Sequence, residues 1–402
     1  MTERSWRERE GGSGPRTTAV ACALVLSGVG SASAQWDLAT DVAVRETWAE
    51  NTTFTSNPGN GDAVSTVRLG ERLLRTGDRF HLNAQYSPAG LFYRDTAEFN
   101  RLEQTGRLNA SYDLTQRDAI TFAGTYFYTT SQGVAAETVS SPLVLTQFSD
   151  RRQQFASLGY RRTLTERLSY GVDVRNNFQT FSDFHFVDYA AYGVSAHVNR
   201  KMGPAWSLDG GAGETRNRFT TPADPNNALS RTTYGDASVA SLFSGVNRRI
   251  GDRMTVTGRL GYNLVTPGDG TQPNRRALFA QGTLTWSGPR LNSSAGFTRD
   301  INTGTGVIDL SETETLYGSG TFSFTPDFSA TVLVNRSYSR RVGDGSSEAT
   351  RAFNGTASLR RRLTRKLEAS AGFSRYIQNS QNLALPDLAH NAYFVGLSAS
   401  FD

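Results

Sequence analysis

Apolar and polar residues alternate with a period of two along almost the whole chain, which is the pattern of strands with one buried or lipid-facing side. The clearest runs are Leu168, Tyr170, Val172 and Val174; Tyr192, Val194, Ala196 and Val198; Met254, Val256, Leu260 and Tyr262; Phe328, Ala330, Val332 and Val334; and Leu367, Ala369, Ala371 and Phe373. The positions between them hold mostly Ser, Thr, Asn, Gly, Asp and Arg, as in Ser169, Gly171, Asp173 and Arg175. Each predicted strand therefore has one greasy face and one wet face.

The connections alternate in kind as well. Short turns with Gly, Pro, Asp and Thr chemistry fall at Thr76–Asp78, Thr115–Asp118, Thr165–Glu166, Lys201–Pro204, Ile250–Asp252, Gly288–Pro289, Pro326–Asp327 and Thr364–Arg365. Between them lie longer polar stretches: Thr53–Gly61, Asp95–Arg101, Thr130–Arg151, Gln179–Asp188, Phe219–Arg231, Val265–Asn274, Asp300–Val307, Ser339–Thr350 and Ile377–His390. Eight short turns and nine long loops predict eighteen strands. A propeller or solenoid would need a repeat of fixed length, and none recurs. The pattern predicts an all-β, up-and-down antiparallel transmembrane barrel with short periplasmic turns and long extracellular loops, built from spanning strands of ~10 residues.

Composition agrees. Only 37% of the 402 residues are hydrophobic, while Gly reaches 39, a poor supply for a conventional core. A barrel needs no more, because only every second strand residue meets lipid. No segment of residues 35–402 has the ~20 consecutive apolar residues of a spanning helix. Trp36, Trp48, Phe80, Trp206, Trp286 and Phe328 sit near predicted strand ends, where interfacial aromatic girdles belong.

Residues 1–34 read as an export signal. Arg4, Arg7, Arg9 and Arg16 precede an apolar stretch from Thr17 to Val29, and Ala32-Ser33-Ala34 follows, so cleavage is expected between Ala34 and Gln35. Cys22, the one cysteine, leaves with this segment; a lipidated Cys22 would have only Thr17–Ala21 as an apolar lead-in. Residues 35–402, the barrel, then contain no disulfide scaffold.

With the apolar register placed outward, the inward positions include Arg45, Arg68, Arg72, Arg107, Arg161, Arg175, Arg259 and Arg360, opposed by Asp41, Asp113, Asp173, Asp209 and Glu368. These are the candidate pore-lining residues, with a modest basic bias. Lys201 and Lys366 are the only lysines. Arginine's planar, always-charged fork suits carboxylates, phosphates and sugar hydroxyls; a codon preference for Arg, with lumen bases paired to lumen acids, accounts for the same count. The strand near Tyr234–Ser244 has an ambiguous register. Basic residues are interspersed with acids and form no long run, so no nucleic-acid partner is implied.

Catalytic chemistry has little to stand on. His81, His185, His197 and His390 are scattered, and neither an HExxH nor a Gly-x-Ser-x-Gly motif occurs. His81 and His197 fall in the inward register, where a polar lumen residue is the simpler reading. The chain is expected not to be an enzyme and to carry no metal or cofactor.

Two resemblances follow from the chain ends. Tyr393, Val395, Leu397, Ala399 and Phe401 alternate up to the penultimate residue, which resembles the terminal strand that the barrel-assembly machinery recognises in Gram-negative outer-membrane barrels; here Asp402 follows the terminal aromatic. The segment Asp41–Thr52, with Glu46, Trp48 and Asn51, resembles the first strand and loop of a family of outer-membrane β-barrels associated with exopolysaccharide and exosortase gene systems. That resemblance implies outer-membrane lipid, polysaccharide export components and an anionic polysaccharide as partners. Two function classes remain: a porin-like passage protein, and a non-conducting structural, assembly or surface-binding barrel. The Thr130–Arg151 loop with its Leu143-Val144-Leu145 run separates them, by folding inward as a constriction or projecting as a docking site.

Overall fold

The computed structural model describes residues 35–50, 61–130, 150–182, 188–220, 236–268, 273–303, 310–341, 349–381 and 387–401. The export signal with Ala34, the resemblance residue Asn51, the Leu143–Leu145 run and Asp402 lie outside the described residues. Among these residues there are eighteen strands: β1 (Gln35–Ala49), β2 (Asp62–Thr76), β3 (Phe80–Tyr93), β4 (Arg101–Asp113), β5 (Asp118–Thr130), β6 (Asp150–Thr165), β7 (Leu168–Phe181), β8 (Asp188–Lys201), β9 (Trp206–Thr220), β10 (Asp236–Ile250), β11 (Met254–Pro267), β12 (Arg275–Ser287), β13 (Leu291–Thr303), β14 (Leu310–Thr325), β15 (Phe328–Arg341), β16 (Ala349–Arg362), β17 (Leu367–Gln381) and β18 (Leu388–Phe401). Each is antiparallel to its sequence neighbours, and β1 pairs with both β2 and β18. The chain is a closed eighteen-stranded antiparallel barrel.

The seam is made by ten residue pairs, from Thr40 opposite Phe401 to Ala49 opposite Ala392. Tyr393, Val395, Leu397 and Ala399 of the C-terminal alternation thus lie against β1, where they complete its backbone hydrogen bonding. Eight short turns gather at one rim together with Gln35 and Phe401, and the nine longer connections gather at the other. Four short turns share one device. The hydroxyl of Thr115 accepts hydrogen bonds from the backbone N–H groups of Arg117 and Asp118 at 3.1 and 3.0 Å. Thr165, Thr364 and Thr325 accept in the same way from Leu168, Leu367 and Asp327 at 3.1, 3.0 and 3.3 Å. A threonine that mimics a backbone acceptor closes the turn locally. At the turn after β10, Gly251 takes φ +60°, which favours glycine.

The strands run to 13–16 residues, longer than the ~10 expected for a bare membrane crossing. Several predicted loop boundaries therefore move: β17 continues to Gln381 and β15 to Arg341. The alternation fades there because the outward face turns polar, with Glu312, Arg336, Arg340 and Arg351 beyond the apolar band, while the backbone ladder continues.

Outward-facing Val44, Val174, Leu260, Val332, Leu359 and Val395 are exposed, forming an apolar belt around the barrel. Trp36, Trp206 and Trp286 are also exposed, at the turn-rim ends of their strands. Arg75 lays its guanidinium 4.9 Å from the Trp36 ring and Arg248 lies 4.4 Å from the Trp206 ring, so the apolar body and charged tip meet where hydrocarbon gives way to headgroups. In β10 the register resolves: Ser241, Phe243 and Gly245 face inward opposite Gly213, Gly211 and Asp209, and Leu242, Ser244 and Val246 face outward. The sequence pattern was ambiguous because the apolar Val239 and Phe243 turn into the barrel while the small polar Ser238 and Ser244 turn out.

This register predicts that Val172→Arg or Val332→Arg, each at the centre of the apolar belt, costs ~2–4 kcal/mol, whereas Ser169→Arg and Thr331→Arg on the inward face are mild. Heat-modifiable gel mobility and denaturant unfolding measure both, and equal costs on the two faces would reverse the assignment.

Candidate functional site

Strand pairing carries one face continuously around the barrel. Ser157, Arg175, Gly193 and Thr215 oppose one another across β6 to β9, as do Gly159, Asp173, Ser195 and Gly213. The same face holds all thirteen charged positions singled out in the sequence, and it encloses a cavity of about 810 Å³ lined by residues from β6 to β13. Five of them meet at this cavity: Arg161, Asp173, Arg175, Asp209 and Arg259. Elsewhere on the same face Arg68 pairs with Asp41 at 3.8 Å, and Arg360 with Glu368 at 3.0 Å. Arg45 stacks its guanidinium 4.4 Å from the Phe394 ring. The side chains of Arg72, Arg107 and Asp113 make no ion pair among the described residues.

Around the cavity each charged group is held in a definite pose. Arg259 Nε donates to Asp209 Oδ2 at 2.7 Å, and its guanidinium lies 5.3 Å from the Phe243 ring. Arg175 donates to the Thr215 hydroxyl at 2.9 Å rather than to a carboxylate. His197 Nδ1 stands 3.2 Å from Asp173 Oδ2. Arg161 reaches the cavity without a carboxylate partner among the described residues. These pairs are roughly 40–50% exposed in most members, so water screens them and their contribution to stability is small.

Glycine is what lets these side chains lie down. The His197 ring covers Gly171, where an added Cβ would come within 2.5 Å of Cε1; Arg175 crosses Gly193, and both Asp209 and Arg259 lie over Gly245. Each pose places a long polar side chain flat across the neighbouring strand, which an ordinary Cβ would block. Sequence reasoning missed this, although inward glycines directly opposite charged positions were its visible trace.

The interior is also asymmetric. Charged residues concentrate on the wall from β1 to β11, whereas β13 to β15 present mainly hydroxyls, tied by Thr321 to Thr331 at 3.0 Å and Thr313 to Ser339 at 2.7 Å. Toward the loop rim the inward face becomes buried. Tyr189, Ala191, Phe219, Ala237, Val239 and Val265 form one apolar cluster there, and Ala352, Tyr376 and Leu388 another. Asn217, Asn263 and Gln378 beside them are at most 1% exposed. Asp300 belongs to this region, accepting from Asn263 Nδ2 and the Ile301 N–H, both at 2.7 Å. These collar residues were not legible as a site, since Phe219 and Val265 read as the starts of long loops and the register around Ala237 and Val239 was ambiguous.

A catalytic reading of His197 and Asp173 would need a nucleophile at His197 Nε2, and no hydrogen bond joins a hydroxyl to that atom among the described residues. No group of three or more potential metal ligands gathers among the described residues.

No protein-family model matches the chain, and no curated protein matches its sequence. Among solved structures, the siderophore receptor PirA from Pseudomonas aeruginosa is similar at 11% identity and a TM-score of 0.45, covering 91% of this chain and 80% of that one. OccAB4 from Acinetobacter baumannii is similar at 10% identity and 0.45, over 91% and 98%. The outer membrane protein OpdK from Pseudomonas aeruginosa stands at 10% and 0.43, over 91% and 99%. At these values the likenesses say nothing of what this chain carries. The class rests on its own geometry: a closed barrel, apolar outside and polar within.

Gly171→Val is expected to displace the His197 ring and to crowd the Tyr160 carbonyl, 3.1 Å from the added Cβ, destabilising the barrel by about 1–3 kcal/mol. Gly320→Ala, at a position with nothing within 4 Å, should leave the urea midpoint within about 0.5 kcal/mol of wild type. Unfolding midpoints of the two variants check the pair.

Proposed function

We propose that the chain is a porin-like passage protein of the bacterial outer membrane, with its turn rim in the periplasm and its loop rim outside. The observation that carries this reading is the set of inward arginines that form no ion pair among the described residues, Arg72, Arg107, Arg161 and Arg175, two of them on the 810 Å³ interior cavity. Fixed positive charge on a polar wall raises the local concentration of anions and is screened as salt rises. The substrate class proposed is an anionic polysaccharide segment or a small anionic solute, and the facing hydroxyl wall offers donors and acceptors to sugar hydroxyls. The resemblance of Asp41–Thr52 to exopolysaccharide-associated barrels supports polymer export as the setting, with export components and the barrel-assembly machinery as partners.

The buried collar favours one competing reading, a barrel closed at its loop rim that serves as a structural or surface-binding element. Planar-bilayer recording separates the two. The passage reading predicts single-channel conductance with anion preference at low salt, and replacement of Arg72, Arg107, Arg161 and Arg175 by Gln should lower the anion/cation permeability ratio while leaving heat-modifiability intact. Replacing Phe219 and Val265 by Ser should enlarge the conductance. A protein silent both before and after the collar substitutions would establish the closed barrel. A conducting channel whose ion preference ignores the four arginines would remove their proposed role.

A further inference from the structure

The outer wall carries arginines that neither the lumen nor the apolar belt explains. On β16 the outward side chains run from Arg361 at the turn rim through Leu359, Ala357, Gly355 and Phe353 to Arg351. Ten residues at ~3.3 Å each, tilted as barrel strands are, span roughly 25 Å of bilayer depth, the height of an apolar band. Arg351 therefore stands where hydrocarbon ends on the loop side. Flanking it, Arg336 on β15 and Arg375 on β17 also face outward; Arg336 lies opposite Phe353, and Arg375 lies opposite Gly355. All three are exposed.

Their surroundings leave them available. None makes an ion pair among the described residues. The outward carboxylates on the adjoining β14 are already taken: Glu312 accepts from Arg299 Nε and Arg340 Nε at 2.7 and 2.8 Å, and Glu314 pairs with Arg299 at 3.2 Å. The Arg351 guanidinium lies 5.7 Å from the Tyr338 ring. The Phe353 ring leans over Gly355, toward the bilayer centre and away from Arg351, on the strand between Arg336 and Arg375.

We propose that Arg336, Arg351 and Arg375 form a cradle for the phosphate of an anionic lipid headgroup in the leaflet at the loop rim. Three exposed arginines that form no ion pair among the described residues, at the levels of positions 351, 353 and 355 of β16 on a lipid-facing wall, are complementary to an anion that the membrane itself holds there. Guanidinium binds phosphate through two parallel charge-assisted hydrogen bonds. The lipid's chains lie against the apolar outward residues below, Val332, Val334 and Phe373. The inference rests on the barrel spanning a membrane and is independent of whether its lumen conducts.

The full barrel, folded into phosphatidylcholine vesicles containing phosphatidic acid, extracted and weighed by native mass spectrometry, tests it. Wild type should retain phosphatidic acid over phosphatidylcholine, and R336Q/R351Q/R375Q should lose that enrichment on the order of tenfold. R276Q, which removes an exposed arginine facing outward on β12 near the same rim, should not. Conductance should be unchanged in every variant, which separates this site from the passage reading. Equal retention by wild type and the triple variant would overturn the proposal. So would equal loss in R276Q, full occupancy by inorganic phosphate in the absence of lipid, or a wild-type dimer that the triple substitution dissociates. Should the triple variant fail to fold, R351Q/R375Q should show a partial loss, and none at all would be equally fatal.

Discussion

Everything in this molecule depends on the rule that a backbone N–H or C=O in hydrocarbon must find its partner within the protein. An all-β chain satisfies it only by closing the sheet, and the ten-pair seam between β1 and β18 does so. Closure explains the low hydrophobic content, because one side of every strand meets lipid and the other a polar interior. It also explains why the start of β1 and the end of β18 share a rim: an even number of up-and-down strands returns the chain to its starting side.

The two faces then solve different problems with the same residue types. Inside, arginines lie flat over glycines and either pair with a carboxylate, as Arg259 does with Asp209, or engage a hydroxyl, as Arg175 does with Thr215. Outside, arginines mark the depth at which the apolar belt stops. The sequence count of eight inward bases against five acids overstates the interior charge in some places, since Arg68, Arg259 and Arg360 are paired, and locates it better in others. Among the described residues, Arg72, Arg107, Arg161 and Arg175 are inward arginines that form no ion pair.

Legibility in the sequence followed the range of the interaction involved. Strand number and inward register were readable because they are local: Val172 and Val174 alternate with Asp173 and Arg175 whatever the partner strand does. Turns were readable for the same reason, with Thr115, Thr165 and Thr364 capping their own chain. What depends on pairing across strands was not readable. Nothing local shows that Arg68 sits diagonal to Asp41, or that His197 lies over Gly171. The collar was hidden because Phe219 and Val265 were read as the first residues of long loops, whereas β9 and β11 carry them inward as strand residues, and strand ends were hidden where the outward face becomes charged.

The claim that alternate residues of one strand face lipid and lumen is open to direct measurement on β15. Nitroxide labels placed singly from Phe328 to Tyr338 in the reconstituted barrel should show oxygen accessibility peaking at Ala330, Val332 and Val334. A water-soluble relaxation agent should reach Thr331, Leu333 and Asn335 instead. A two-residue period in opposite phase for the two probes is the predicted result, whereas accessibility without that period, or with its phase reversed, would contradict the barrel as described.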